Sequence, residues 1–392
     1  MKVVITGAGV VCPAGIGLEA FWNALQGGSY GIREVASFEA RGLRGGSVTG
    51  FDFEALFGDR RFRRADDVTK FALVSSKEAL NGAGADAAVL RGMRAGAVVA
   101  VTHGAIGFST EFHSGVVKEG PVGASPAVFS DSVMNAPTGN LTLCYGMNGP
   151  SYTLVGDSPA ALQSVKLAAG LIRDGMADLC VVSATEELSE RVYEAYSRVG
   201  LIPAGAAQGM VDPFGTDGRG FLPGEGAASI VLESERGAAR RGAVPIARIS
   251  GYGSSSGAVP DDNVSKSVTK AIKAATIEAV DIDAAIVSAN GSGCALTEGA
   301  ALGGLLKEHT PVAGIKPHVG EGFCAASLMS VVAAALCVSR GRLIPNVRTG
   351  QASPAWAWAG ITAAPKEARI KNMLVSSTGL RGEAAALVLS SL

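Results

Sequence analysis

The chain has 392 residues, 47% of them apolar and 18% charged, with a net charge of −1 at neutral pH. That supplies one large core or two fused domains of ordinary size, and 53 glycines dispersed among apolar runs exclude a low-complexity chain. No Lys/Arg cluster exceeds Arg60-Arg61 with Arg63-Arg64 nearby, so nucleic-acid binding has no electrostatic basis, and the longest apolar segments break short of the ~20 residues of a membrane span.

In chain order, apolar runs rich in β-branched residues predict strands over 2–6, 97–102, 151–156, 179–184, 229–232, 285–288, 311–315 and 373–377. Apolar residues three and four apart predict helices over 18–26, 68–82, 159–174, 189–198, 264–279, 296–308 and 323–339. The alternation makes the protein α/β. The opening MKVVITGAGVVCPAG passes from strand to glycines but lacks the third glycine of a dinucleotide fingerprint and an acidic ribose contact about twenty residues on. Gly7-Ala8-Gly9 therefore reads as a tight connection after a strand.

Residues 149–172, GPSYTLVGDSPAALQSVKLAAGLI, place Ser158 at a turn between a strand and a small-residue helix, where orphan N–H groups and the helix dipole favour negative charge. Asp157-Ser158-Pro159 also reads as an ordinary helix start, a capping side chain followed by proline at the first helical position. In 218–233, GRGFLPGEGAASIVLE, glycines permit close backbone approach before a strand and Glu225 holds a turn. A second small-residue helix follows Gly322. Two such helices, apolar nearly all round, imply a buried central pair and a duplicated chain with halves 1–245 and 246–392. Trp356 and Trp358 in SPAWAWAG alternate as a half-exposed strand would. The six cysteines show no CxxC or metal-ligand spacing and read as reduced core thiols, which suits the cytoplasm.

ITGAGVVCPAG at the start, GPSYT at 149, VDPFGTDGRGFLPGEGAASIVLE at 211, SANGSG at 288, GIKPHVGEG at 314 and SSTGLRGEAA at 376 together resemble, in order and spacing, the β-ketoacyl synthase family over essentially the whole chain. The resemblance implies the thiolase-like fold, five layers αβαβα built from two similar halves, and a dimer. It also implies acyl chains delivered on the phosphopantetheine arm of an acyl carrier protein, with no other cofactor. The family's chemistry uses a cysteine at the buried helix N-terminus and two histidines that assist decarboxylation and hold an oxyanion. Here the cysteine position is Ser158, the histidine positions are Asn290 and Glu321, and the gating loop that helps form the oxyanion hole reads Gly379-Leu380-Arg381-Gly382. A serine needs a base in reach. Of the four histidines, only His318 is placed to approach Ser158, and a carboxylate at 321 would repel an oxyanion. No catalytic residue is expected.

Within the family the chain resembles the chain length factors, inactive partners of an active ketosynthase. That implies a heterodimer in which 104–140 lines the far end of an acyl channel. Ile106, Ser109 and His113 share one helix face, and Phe129 and Ser130 fall at further lining positions. The serines predict a roomier or more polar channel end. Two rival readings are an enzyme in its own right, using Ser158 or a displaced Cys294 or Cys324 away from any helix start, and a homodimeric acyl-binding protein.

Overall fold

The computed structural model describes residues 1–392 except 40–41, 204–210, 217–219 and 348–349, so the Asp217-Gly218-Arg219 part of the glycine-rich motif lies outside the described residues. The predicted runs form strands β1 (Val3–Cys12), β2 (Ala95–Val101), β3 (Ser151–Val155), β4 (Leu179–Glu186) and β5 (Gly226–Ser234) of an N-terminal set. Helices α1 (Leu18–Gln26), α2 (Asp67–Gly82), α3 (Ile106–Glu119), α4 (Pro126–Ser132), α5 (Ala136–Tyr145), α6 (Ala160–Arg173) and α7 (Glu190–Arg198) connect them. A C-terminal set follows, with β6 (Ala247–Ser255), β7 (Ala284–Val287), β8 (Pro311–Gly314), β9 (Asn372–Thr378) and β10 (Ala384–Ser390), and helices α8 (Pro260–Ala275), α9 (Gly293–Gly303) and α10 (Phe323–Arg340).

The two sets repeat one topology. The order β1-β5-β4-β2-β3 is matched by β6-β10-β9-β7-β8. In each, the first two contacts are antiparallel and the last two parallel. The sets join where β1 pairs antiparallel with β6, Val3 to Ile5 against Ala247 to Ile249. The repeat extends to single residues. A Cβ on Gly7 or Gly9 of β1 would lie 2.0 Å from Ala79 O or 2.1 Å from Ser75 O of α2, and on Gly251 or Gly253 of β6, 1.9 Å from Ala271 O or 2.0 Å from Ser267 O of α8. Each glycine pair thus lets an outer helix touch its strand. The tight connection expected at Gly7-Ala8-Gly9 is corrected accordingly: β1 runs straight through to Cys12.

Helices α2 and α8 cover the outer faces, and α6 and α10 lie between the two sets of strands, giving five layers αβαβα. Every residue of α10 from Phe323 to Val338 is buried. Among the described residues α10 is the one helix long and apolar enough to cross a membrane. It is instead the core layer, packed on β4 and β5 of one set and on β7 and β9 of the other. Its many small residues allow that two-sided approach. Trp356 also departs from expectation: it closes a helical turn, is 1% exposed, and meets Phe214 edge-on at 5.2 Å beneath Gly299. Trp358 anchors its indole N–H on Gly299 O at 2.8 Å.

Candidate functional site

Two helix N-termini meet at the turn between β3 and α6. Ser158 is 2% exposed there, yet among the described residues its hydroxyl makes no hydrogen bond. The expected serine cap is corrected: no side chain caps α6, and the side chain bonded at the turn is Asp157. Its Oδ1 accepts Ser158 N at 2.6 Å and its Oδ2 accepts Leu380 N at 2.6 Å, while Ala160 N donates to Asp157 O at 2.8 Å. The first turn of α10 presses on the same elbow. Cys324 Sγ donates to Gly156 O and Asp157 O, both at 3.4 Å, and accepts from Thr102 Oγ1 at 3.2 Å.

Contrary to expectation, Cys324 and Cys294 do sit at helix starts, each the second residue of α10 and α9. Neither gains a reactive thiolate from it. Burial pushes the Cys324 thiol well above its ordinary range, with the Glu186 carboxylate adding to the effect, and burial also raises Cys294. Desolvation outweighs the helix dipole at both.

Asn290 and Glu321 belong to one closed network. The GFLPGEG segment aligns it: Glu321 N donates to Leu222 O at 2.8 Å and Gly224 N to Glu321 O at 2.9 Å, a contact that needs glycine at 224 because a Cβ would lie 2.0 Å from Val319 O. The Glu321 carboxylate, 3% exposed, takes Lys316 Nζ at 2.5 Å on each oxygen, Asn290 Nδ2 at 2.7 Å and Phe323 N at 2.9 Å. Asn290 Oδ1 accepts Ser292 N at 3.0 Å and Ser292 Oγ at 2.7 Å. Lys316 is thereby paired with a buried carboxylate, that of Glu321. Glu225 ties three segments rather than one turn, accepting from Val48 N, Ser47 Oγ and Leu188 N at 2.7, 3.0 and 3.0 Å.

His318 does not approach the elbow. It is wholly buried, its Nδ1 lies 2.5 Å from Ser29 O, and burial pulls its pKa down to about 4. The histidine beside the site is His103, passed over in the sequence because nothing local marks it. Its Nε2 is 3.0 Å from Tyr196 OH and its Nδ1 3.4 Å from Glu186 Oε2. Its ring packs edge-on to Phe323 at 4.7 Å, and Tyr196 and Phe221 complete the aromatic group. Glu186, 1% exposed, also accepts the Thr102 and His103 backbone N–H groups.

The 379–382 loop lies against the elbow through Leu380, with Arg381 exposed and Gly382 O held by Asn263 Nδ2 at 2.9 Å. The 104–140 residues lie elsewhere, on a surface where α3 packs on α4 and no α3 side chain is buried. Ser109 Oγ donates to Ser132 O at 3.0 Å and, with His113, lines an open cleft. Phe129, 52% exposed, packs on Phe112 at 5.2 Å. Ser130 donates to Ala127 O of its own helix at 2.9 Å, and Ile106 opens α3, half-buried. Next to them β3 ends the sheet, with Tyr152 and Val155 exposed.

Residues 1–238 match the model of the β-ketoacyl synthase N-terminal domain and residues 246–349 that of the C-terminal domain. The tetracenomycin polyketide synthase ketoacyl synthase beta subunit of Streptomyces glaucescens is 28% identical over 404 residues, covering 98% of this chain and 97% of that protein. Among solved structures, the ishigamide ketosynthase/chain length factor superposes with a TM-score of 0.93 at 23% identity, covering 100% of this chain and 99% of that one. A type II polyketide synthase acyl-carrier protein in complex with its ketosynthase bound to the hexaketide superposes at 0.86 and 22% identity, covering 100% and 99%.

Proposed function

The chain belongs to the β-ketoacyl synthase family, and from that membership we propose that it is a non-catalytic, chain-length-factor subunit of a type II polyketide synthase or a related polyene or fatty-acid-like system. It pairs with an active ketosynthase, and growing chains arrive on the phosphopantetheine arm of an acyl carrier protein. One observation carries the reading. At the positions where the family's chemistry needs a cysteine and two histidines, this chain holds a serine whose hydroxyl is bonded to no base among the described residues, and an amide bonded to a carboxylate that Lys316 locks. A hydroxyl without a base does not attack a thioester, and a carboxylate whose lone pairs are taken neither abstracts a proton nor holds an oxyanion.

The surface supports the pairing. An edge strand carrying exposed Tyr152 and Val155, beside exposed Val117, Phe129 and Leu143, offers unpaired backbone and apolar area to a partner. Both structural neighbours are ketosynthase assemblies, one of them with an acyl carrier protein. We assign Ile106, Ser109, His113, Phe129 and Ser130 to the channel end, Leu380 and Arg381 to the gate, 1–245 and 246–392 to the two halves, and the cytoplasm, which suits six free cysteines, as the compartment.

The test is intact mass after incubation with acyl carrier protein bearing a thioester chain, on this chain alone and co-expressed with an active ketosynthase. The partner is expected to gain the acyl mass while this chain stays unmodified. Acylation of this chain that Ser158→Ala abolishes would replace the reading with a serine acyl-enzyme.

A further inference from the structure

Two backbone N–H groups from distant segments converge on one carboxylate at the elbow. Ser158 N and Leu380 N each lie 2.6 Å from an oxygen of Asp157. The first belongs to the turn that opens α6, where unpaired N–H groups and the helix dipole favour negative charge. The second belongs to the loop after β9. Two such donors, fixed beside a nucleophile position, form the arrangement that holds a developing oxyanion in acyl transfer. Here the chain's own carboxylate occupies it.

The loop is fitted to that carboxylate. A Cβ at Gly379 would come within 2.9 Å of Asp157 Oδ2 and 2.7 Å of Glu383 Cδ, so no side chain separates the two. The loop's other bonds among the described residues are its own turn, Gly379 N to Glu383 O at 2.8 Å and Gly382 N to Gly379 O at 3.0 Å, the remote Asn263 on Gly382 O, and a long contact of the Cys294 thiol to Leu380 O at 3.9 Å. The tie to the elbow itself is Asp157 on Leu380 N.

We propose that Asp157 is an autoinhibitory latch: it fills the oxyanion position and fastens loop 379–382 over the elbow, so that an acyl carbonyl cannot settle in this chain's own pocket. The latch does not rest on the subunit reading. It is a contact within this chain, and a chain with a working Ser158 would have the same lock to open.

Amide hydrogen exchange of the full chain, wild type against Asp157→Ala and Asp157→Asn, tests the fastening. Losing a charge-assisted hydrogen bond should speed exchange at Leu380 and Arg381 by about tenfold or more in Asp157→Ala, with Asp157→Asn in between and β4 amides unchanged. Acylation tests the filling. Ser158→Cys, alone and with Asp157→Ala, is incubated with S-hexanoyl-pantetheine and weighed, with the wild type correcting for other cysteines. The attacking thiolate forms the new C–S bond as the bond to pantetheine breaks, and pantetheine leaves as a thiol carrying the proton the attacking group lost. Freeing both donors should raise that rate by at least about tenfold. Should Asp157→Ala fail to fold, Asp157→Gly, which also removes both acceptor oxygens, takes its place in both assays. Unchanged exchange at Leu380, or equal acylation rates with and without the second substitution, overturns the latch.

Discussion

Replacing Lys316 by methionine isolates the energetics of the rebuilt pocket. Lys316 is 5% exposed and its ammonium bonds both oxygens of Glu321, itself 3% exposed. Methionine keeps the length of the stem but leaves the carboxylate with only Asn290 and Phe323 N as donors. Breaking a buried pair from one side costs about 3–5 kcal/mol, because the surviving charge has no compensation. For a chain of 392 residues, at typical unfolding entropies, that lowers Tm by roughly 4–6 °C. Adding Glu321→Gln removes the stranded charge while its amide oxygen still accepts Phe323 N, so the double variant should recover at least about 2 kcal/mol relative to Lys316→Met. The assay is thermal unfolding of wild type, both single variants and the double. A Lys316→Met cost below about 1 kcal/mol, or a double variant no more stable than the worse single, would refute the claim that this pair is a coupled structural unit.

Gly7→Ala should destabilise by at least ~3 kcal/mol in denaturant titration, since its Cβ would lie 2.0 Å from a backbone oxygen that cannot rotate away. Glu298 is wholly buried, and burial raises its pKa from 4.5 to about 7. Its folded pKa is the higher one, so its contribution is fully present below pH 4.5 and lost as pH rises through about 7. Relative to wild type, Glu298→Gln should gain up to about 3 kcal/mol between pH 5 and pH 8, and a pH-independent difference in Tm would count against that assignment. Ser109→Phe, co-expressed with the ketosynthase partner, should shorten the polyketide products read by mass spectrometry; unchanged lengths would remove Ser109 from the channel.

The elements legible in the sequence were those with a dense or periodic apolar signal: β1 to β5, β7 to β9, and helices α1, α2 and α6 to α10. The strand β6 escaped because Gly251 and Gly253 and half-exposed alternate positions dilute its pattern, and β10 because AAALVLS suits a helix turn as well as a strand. Periodicity gave no sign of α3, which has no buried face within this chain. Positions 158, 290 and 321 were readable from motif order. The Asp157–Leu380 contact spans 223 residues and the His103–Tyr196 contact 93. Such contacts are properties of the assembled layers, with no local signature to read, and for the same reason proximity in sequence misassigned His318.

Loss of catalysis alone would leave this pocket with orphaned polar groups, and a buried donor or acceptor without a partner costs about 1–3 kcal/mol. The observed pocket is in that state at Ser158 and not at Asn290 or Glu321. The amide at 290 donates to Glu321 and accepts from Ser292, the carboxylate takes four donors, and Asp157 takes both N–H groups at the elbow. At 290 and 321 the substituted side chains are matched by partners that satisfy them, whereas the Ser158 hydroxyl has none among the described residues. The network joining Asn290, Glu321 and Lys316 and the β3 edge with its exposed Tyr152 and Val155 are both consistent with the proposed subunit role.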